Sequence, residues 1–278
     1  MSFLVPFEYE FFRNGFIAAV VIGALCGFIG VYVVLRRMSY IGHGLSHAIF
    51  GGAVLSYVWN INFFVGGGLW AFLAGALIFW ISHRRWVGAD AAIGVVTTSS
   101  FALGVAIIST HRSFTRNIEA ALFGNILGIT QTDVWIVVLI SLFVFGALFV
   151  IRRPLLFITF DPEVASAYGV STGKIDLFFV MLLAVTVLAS TQILGVTLVA
   201  AAMVIPPVIA RYLTQRFQTL LVLSPLLGAF CGAAGMFLSF QFDISSAATI
   251  VLTSAALFIA VELVLFARGK KPAPIHEH

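Results

Sequence analysis

Charged side chains are scarce in this sequence, and their scarcity excludes a water-soluble fold. Only 9% of its 278 residues are Asp, Glu, Lys or Arg, whereas 61% are hydrophobic. Soluble domains carry about 25% charged residues. The mean hydropathy of +1.11 instead indicates a polytopic protein that sits in a lipid bilayer. The net charge of +4 comes from small basic clusters between apolar runs, so nothing points to a nucleic-acid partner.

Several catalytic motifs are also missing. The sequence has no Gly-x-x-x-x-Gly-Lys-Ser/Thr phosphate loop, no His-Glu-x-x-His motif and no rhomboid-like Gly-x-Ser-Gly. Ser46 and His47 are adjacent, so their side chains diverge around a helix and cannot form a serine–base pair. The two cysteines, Cys26 and Cys231, lie in apolar runs and are interpreted as small core residues; a disulfide is neither needed nor excluded. These absences argue against an intramembrane enzyme. If the protein depends on ATP, the ATPase must be another polypeptide.

Nine apolar runs approach the roughly 20 residues that cross a bilayer as one helix. They cover residues 13–35, 38–58, 61–82, 91–110, 132–151, 175–191, 193–213, 219–240 and 245–267. The sixth and seventh are separated only by Thr191-Gln192, where a break or a re-entrant turn is one option, and 117–131 is another re-entrant candidate. We predict an all-α polytopic membrane bundle of about nine spans (seven to nine). Residues 1–278 then form a single transmembrane domain with a polar tail at 268–278.

The basic residues predict the orientation of the bundle. With the N-terminus outside, 12 of the 15 basic residues fall in inside loops, and Arg13, Arg112 and Arg116 remain outside. The opposite orientation would leave 3 of 15 inside, so the positive-inside rule favours an outside N-terminus and an inside C-terminus. This arrangement needs an odd number of spans, which agrees with nine.

Two histidines lie four residues apart inside the second apolar run. His43 and His47 would share one face of a helix, close enough to share a ligand. Ionisable side chains at membrane depth are costly and usually face a bundle interior or a water-filled path. At ~1.5 Å per residue, His47 lies roughly 16 Å beyond Arg36, near the middle of the membrane. The pair is a candidate metal site; the alternative is a hydrogen bond from each imidazole to a neighbouring carbonyl.

The inside segment 161–169 encodes a short, well-capped helix. Asp161 is a good N-cap, Pro162 suits the first helical position, Glu163 complements the helix dipole, and Gly169 can close the C-terminus. Such a helix could be a rigid handle for an external protein. It could equally be an amphipathic helix that rests on the membrane surface.

Two consecutive prolines lie inside the seventh apolar run. Pro206 and Pro207 remove two backbone donors, so we expect a kink or break in that helix. They are a candidate hinge for alternating access, and a static kink is the equal alternative.

Four segments, taken together and in this order, resemble one known family. They are Arg36 to Ala48 with Leu45-Ser46-His47-Ala48, Leu122-Phe123-Gly124-Asn125-Ile126-Leu127, Asp161 to Gly169, and Gly195 to Pro207. The chain is similar, over roughly residues 11–267, to the permease subunit of metal-importing ABC transporters for zinc, manganese and iron, the ABC-3 family. Each motif alone is loose, whereas four in order on consistent faces are specific.

The resemblance implies a set of partners and a substrate. It implies a second copy of this chain, separate ATP-binding cassette ATPase subunits on the cytoplasmic side and an extracytoplasmic metal-binding protein. The helix at 161–169 would be the coupling helix, with Asp161, Pro162, Glu163, Ala165 and Gly169 carrying the match. A divalent transition metal ion would be the transported substrate, with no permanently bound cofactor, in the bacterial cytoplasmic membrane.

The resemblance also sharpens the candidate ligands. The family pattern has an aspartate where this chain has His43, while His47 matches the family histidine. Two imidazoles favour Zn²⁺, Fe²⁺ or Cu²⁺ over Mn²⁺, so the metal stays open. Asp243 matches an acidic position of the family and is either a ligand or an N-cap before Ser245. Asn125 is either a ligand or a capping residue.

Two other transport functions stay open as alternatives. A secondary transporter or channel would not need a capped cytoplasmic helix. A permease for a metal chelate would have to pass a bulky ligand, which a narrow histidine-bearing path disfavours.

Overall fold

The computed structural model describes residues 5–82, 88–110 and 124–268, and within these ranges it contains helices and no strand. The predicted all-α fold is confirmed. The helices are α1 Glu10–Leu35, α2 Ser39–Val58, α3 Phe63–Ser82, α4 Ala89–Thr110, α5 Gln131–Phe160, α6 Pro162–Ala167, α7 Thr172–Leu213, α8 Phe217–Phe242 and α9 Ser246–Ala267. Part of the 117–131 stretch and nearly all of the polar tail lie outside the described residues.

Helix α2 differs from its neighbours in polarity. By length and composition, seven helices in the described ranges can cross a membrane, and α2 is not among them. His43, His47 and several glycines and serines lower its hydropathy. The helix instead packs against α3, α4 and α7. Ser46 and Ser56 are buried in the bundle and His43 and His47 are half-buried, in keeping with the cost of exposing polar groups to lipid.

Helix α7 is broken in its middle. Gly195 has φ 76° and ψ 162°, a backbone conformation that is essentially restricted to glycine. We name the two halves α7a, residues 172–194, and α7b, residues 196–213. The break lies three residues beyond the predicted Thr191-Gln192 boundary.

The two halves of α7 run in opposite directions. Neighbours along α7 are Gly173 with Phe79, Leu188 with Gly67, and Met203 with Gly42. The first contact lies near the end of α3 and the second near its start, so α7a runs antiparallel to α3. The third contact lies near the start of α2, which is at the same end of the bundle as the end of α3. The 42-residue helix is therefore an antiparallel pair, and the described part of the chain contains nine membrane-length segments. This agrees with the nine predicted spans.

The alternation of helices collects the basic residues at one end of the bundle. Arg36, after α1, forms an ion pair with Asp176 in the second turn of α7a, and its guanidinium lies 5.2 Å from the centre of the Phe179 ring. Eight of the nine basic residues in the described ranges lie at this end, which we call the basic end; Arg13 lies at the opposite end. That the basic end faces the cytoplasm stays a prediction from the positive-inside rule.

Helices α1 and α8 pack at backbone distance. Gly23 faces Gly228, and a Cβ on either residue would overlap the carbonyl of the other. Gly27 is similarly close to the carbonyl of Ser224, whose hydroxyl donates to the Gly27 carbonyl at 2.6 Å. Small residues drive helix association in lipid because they permit such close contact, where no hydrophobic effect operates between helices. This antiparallel pair forms the spine of the bundle.

The helix stays continuous across Pro206 and Pro207, so the expected break is not at these residues. Pro207 has no N–H to donate to the carbonyl of Met203, four residues earlier. That carbonyl lies directly against Gly30 of α1, where a Cβ would displace it. The prolines are therefore packed against α1 in this structure, and their role as a hinge stays a prediction.

Helix α5 extends beyond its predicted end. The apolar run ends at Ile151, yet the helix continues to Phe160 through Arg152, Arg153 and Pro154. The Arg152 guanidinium lies 4.0 Å from the centre of the Phe149 ring, which lets a charged residue cover apolar surface near the end of a span. The extension brings α6 out at the basic end.

We predict that filling the α1–α8 contact destabilises the protein. In Gly228→Val the new side chain overlaps the Gly23 backbone, and overpacking of this kind costs about 1–3 kcal/mol. The melting midpoint of the detergent-solubilised chain should fall by about 5 °C or more. Gly146→Val is the matched control, because no described residue outside its own stretch of helix lies within 4 Å of a Cβ at Gly146; an equal drop in both variants would contradict this account.

Candidate functional site

His43 and His47 form an edge-to-face pair on α2. Their ring centres are 4.4 Å apart with an interplanar angle of 72°. Both side chains are half-buried, with exposed Tyr40 beside His43 and Phe101 of α4 beside His47. Neither histidine is deeply packed, so both rings are available to a ligand.

The histidines belong to a longer stripe of α2. His43, His47, Phe50, Val54 and Tyr57 are spaced by 4, 3, 4 and 3 residues, which places them on one helix face. The half of this stripe nearer the basic end carries the imidazoles. The other half lines a cavity, so the two features lie along one line through the bundle.

The cavity has a volume of about 410 Å³ and lies towards the opposite end of the bundle. Its apolar lining comes from α2, from α3 and the link before it, from Ile129 in the loop before α5, and from Val196 of α7b. Its polar lining includes Asn125, Thr191 and Gln192, at the break in α7 and the loop beside it. Since one water occupies about 30 Å³ of liquid, the cavity has room for roughly a dozen waters.

A set of apolar side chains separates the cavity from the histidines. Phe50, Val54 and Val196 form a buried cluster, and Phe101 packs against it. The Phe101 ring lies 5.4 Å from His47 and 4.9 Å from Phe50, measured between ring centres. We call these four residues the apolar barrier. Where apolar side chains narrow an ion path, they block ions by excluding water.

The loop before α5 docks onto the α7 break. Gly124, with φ +78°, approaches the Ile193 carbonyl so closely that a Cβ would overlap it. The Asn125 N–H donates to the Gln192 carbonyl at 3.3 Å, and the Asn125 side chain accepts from the Gly128 N–H at 3.1 Å. One carbonyl freed at the end of α7a thus finds a donor in this loop, as a buried helix end requires.

The structure separates the four predicted metal residues. His43 and His47 lie together near the basic end of α2, and Asn125 lies in the cavity, where it also caps the Ile126–Gly128 turn. Asp243 ends α8 at the opposite end in a left-handed conformation with φ 52°, so the N-cap alternative is wrong: Ser245 occupies that position. In the described ranges no three His, Cys, Asp or Glu side chains cluster, so His43 and His47 lie together there without a third side chain of these types.

Helix α6 has the local geometry that its sequence predicts. The Asp161 carboxylate accepts the Val164 N–H at 2.9 Å, and Pro162 begins the helix. Gly169 has φ +79°, and the Val170 N–H returns to the Ala165 carbonyl at 3.0 Å, which is a Schellman closure. Ala165 is buried against the bundle and Glu163 is exposed. The helix is a rigid projection at the basic end.

Sequence reasoning missed Phe50, Phe101, Gln192 and Gly195. The 4-3 spacing that continues from the histidines could have indicated Phe50. The polar pair Thr191-Gln192 in an apolar run marked the break without assigning it to a cavity. Phe101 lies on a different helix, 54 positions from His47 in sequence, and no local pattern connects the two.

Comparison with known proteins identifies the family. The chain matches the ABC 3 transport family over residues 8–265. It belongs to that family. The resemblance drawn from the four motifs is thus confirmed, and the chain is a multi-pass permease of the bacterial cytoplasmic membrane.

Individual relatives match over nearly the whole permease. The chain is 34% identical to the manganese transport system membrane protein MntC of Halalkalibacterium halodurans, over 90% of this chain and 86% of the relative. It is 32% identical to the probable iron transport system membrane protein of Haemophilus influenzae, over 96% of both. Among solved structures, PsaBC from Streptococcus pneumoniae in complex with Fab matches with a TM-score of 0.85 and 28% identity, covering 96% of this chain and 98% of that chain.

We predict that the α7 break depends on glycine at position 195. Gly195→Ala forces a Cβ into a conformation that costs about 1–3 kcal/mol, so the melting midpoint should fall by several degrees. Gly173→Ala, in the first turn of the same helix, is the control: a Cβ there would make only an ordinary van der Waals contact with Phe79, at 3.9 Å, and Gly→Ala in a compatible helical position stabilises by about 0.4–1 kcal/mol. Opposite signs for the two variants are expected, and a neutral Gly195→Ala would refute the requirement.

Proposed function

We propose that this chain is the membrane-spanning subunit of an ATP-driven importer of divalent transition metal ions. The observation that carries the proposal is the single α2 face on which a cavity, the apolar barrier and the His43–His47 pair follow one another. A cation that enters the cavity would meet the imidazoles once the barrier opens. Conduction by such a path requires weak, sequential sites, and a pair of imidazoles satisfies this.

The two imidazoles bear on the choice of metal. The relatives named above are described for manganese and iron. Nitrogen ligands suit Fe²⁺ and Zn²⁺ better than Mn²⁺, which prefers oxygen. We propose that this importer accepts several divalent metals, and that His43, in place of the family aspartate, raises its preference for Fe²⁺ and Zn²⁺ relative to Mn²⁺. None of the relatives named above is described for zinc, so the proposal for Zn²⁺ rests on ligand chemistry alone.

Coordination at this site needs more than one chain supplies. A pair of imidazoles fills two positions of a four- to six-coordinate ion. Tyr40 beside His43 is exposed, so the pair opens towards the outside of this chain. We propose that water and a second copy of the chain complete the coordination, with the pathway at their interface.

Helix α6 is the proposed contact with the motor. It is short, capped at both ends and projects at the basic end, which the positive-inside rule places in the cytoplasm. Separate ATPase subunits would grip it, and an extracytoplasmic binding protein would deliver the ion at the opposite end. Pro206 and Pro207 are proposed as the hinge in α7b, and Asp243 as an acidic residue at the entry side.

We predict that both histidines are required for uptake. In proteoliposomes that contain this chain, its ATPase and its binding protein, His43→Ala/His47→Ala should lower ATP-dependent metal uptake about 100-fold, because both nitrogen ligands are lost. His43→Asp restores the family residue and should shift competition between Mn²⁺ and Zn²⁺ towards Mn²⁺. Uptake that is unchanged in the double variant would rule out the pair.

We predict that the α6 cap is required for coupling. Asp161→Ala removes the N-cap acceptor and costs about 1 kcal/mol of local helix stability, whereas Asp161→Asn keeps a good cap. Transport-stimulated ATPase activity of the complex should fall in Asp161→Ala and persist in Asp161→Asn. Equal loss in both variants would assign the effect to the charge and contradict the capping account.

A further inference from the structure

The end of α7a carries oxygen atoms that the path along α2 does not use. The last carbonyls of a helix have no intrahelical donor, and the C-terminal end of its dipole is negative. Residues 191–194 are this end, and Thr191 and Gln192 line the 410 Å³ cavity. The negative end of the α7a dipole therefore lies at a cavity that is large enough to hold water.

Gln192 is the unusual residue in this group. Its Oε1 atom is buried and has no hydrogen-bond partner among the described residues. A buried polar atom without a partner costs about 1–3 kcal/mol, so such atoms call for an explanation. Thr191 donates its hydroxyl to the Val187 carbonyl at 2.6 Å, which leaves the oxygen lone pairs free to accept.

The loop beside the α7 break supplies a third oxygen. Asn125 Oδ1 accepts one hydrogen bond, from Gly128, and an amide oxygen has two lone pairs. Among the residues that the structure describes, no charged side chain lines the cavity. It thus combines neutral oxygen ligands with a negative helix end, a combination that broken helices in transporters use to hold cations.

We propose that Gln192, Thr191 and Asn125 form a weak oxygen site for a partly hydrated divalent cation, which the ion occupies before it crosses the apolar barrier to the histidines. The inference deepens the proposed function and rests on it. An all-oxygen site accepts hard cations such as Mn²⁺ and Ca²⁺, whereas the imidazole pair discriminates by nitrogen ligation. The two sites would therefore differ in selectivity: the oxygen site would accept divalent cations by charge, and the imidazole pair would discriminate among the metals.

Mn²⁺ binding to the complete complex tests the site directly. The complex with its ATPase, in phosphatidylcholine nanodiscs, is titrated with Mn²⁺ alone and followed by electron paramagnetic resonance. In His43→Ala/His47→Ala, one weak Mn²⁺ site should persist, without nitrogen modulation in the spin echo and displaceable by Ca²⁺. Adding Gln192→Leu, which keeps the volume and removes the oxygen, should weaken this site by roughly tenfold. Adding Thr186→Val, which removes a buried hydroxyl from the same half-helix away from the cavity, should leave it unchanged.

A second variant covers the case in which Gln192→Leu fails to assemble. Gln192→Glu places a carboxylate at the same atom and should tighten Mn²⁺ binding by roughly tenfold or more. The inference falls if the histidine-free complex binds no Mn²⁺ in the millimolar range, or if neither change at Gln192 alters the affinity. In that event, loss of uptake in the histidine variants would still support the proposed function; normal uptake there would reject the proposed function separately.

Discussion

The constraint on which this structure depends is that no backbone polar group can face lipid unpaired. A continuous helix pairs these groups through its own backbone hydrogen bonds. Helix α7 does not, because it reverses direction at Gly195 in the interior of the bundle. The reversal is sustained by a second segment: the Asn125 N–H donates to a freed carbonyl, and Gly124 lies so close to Ile193 and Gly195 that a Cβ on Gly124 has no room. The cavity exists because this loop and the broken helix meet there.

The sequence predicts elements that depend on local chemistry and misses those that depend on contact between distant segments. The spans follow from apolar runs, and α6 follows from Asp161, Pro162 and Gly169, which act within a few residues of one another. The break was predicted three residues early, because Thr191-Gln192 is visibly polar while the dihedral angles of Gly195 reflect the docked loop. Phe101 could not be predicted, since its place in the apolar barrier depends on how α4 packs against α2.

The polar residues of α2 make it the least hydropathic of the long helices and also the strongest functional candidate. Its histidines, glycines and serines lower its hydropathy below that of its neighbours. A helix of this composition is stable at membrane depth because α3, α4 and α7 pack against it. Gly51 lets α4 approach α2 closely, and Gly52 does the same for α3. A different stripe of α2 faces the cavity and carries the imidazoles.

A physical connection joins α6 to that stripe. The chain leaves α6 through the Gly169 turn and enters α7a, where Asp176 lies in the second turn and pairs with Arg36. Arg36 begins the three-residue link to α2, in which Arg37 has φ 55°, and both members of the pair are largely withdrawn from water, with 12% and 21% of their side-chain surface exposed. A displacement of α6 therefore cannot leave the start of α2 behind without separating two partly buried charges, which is far costlier than breaking an exposed pair. The ion pair thus couples the position of α6, the proposed contact with the motor, to the position of α2, which carries His43 and His47.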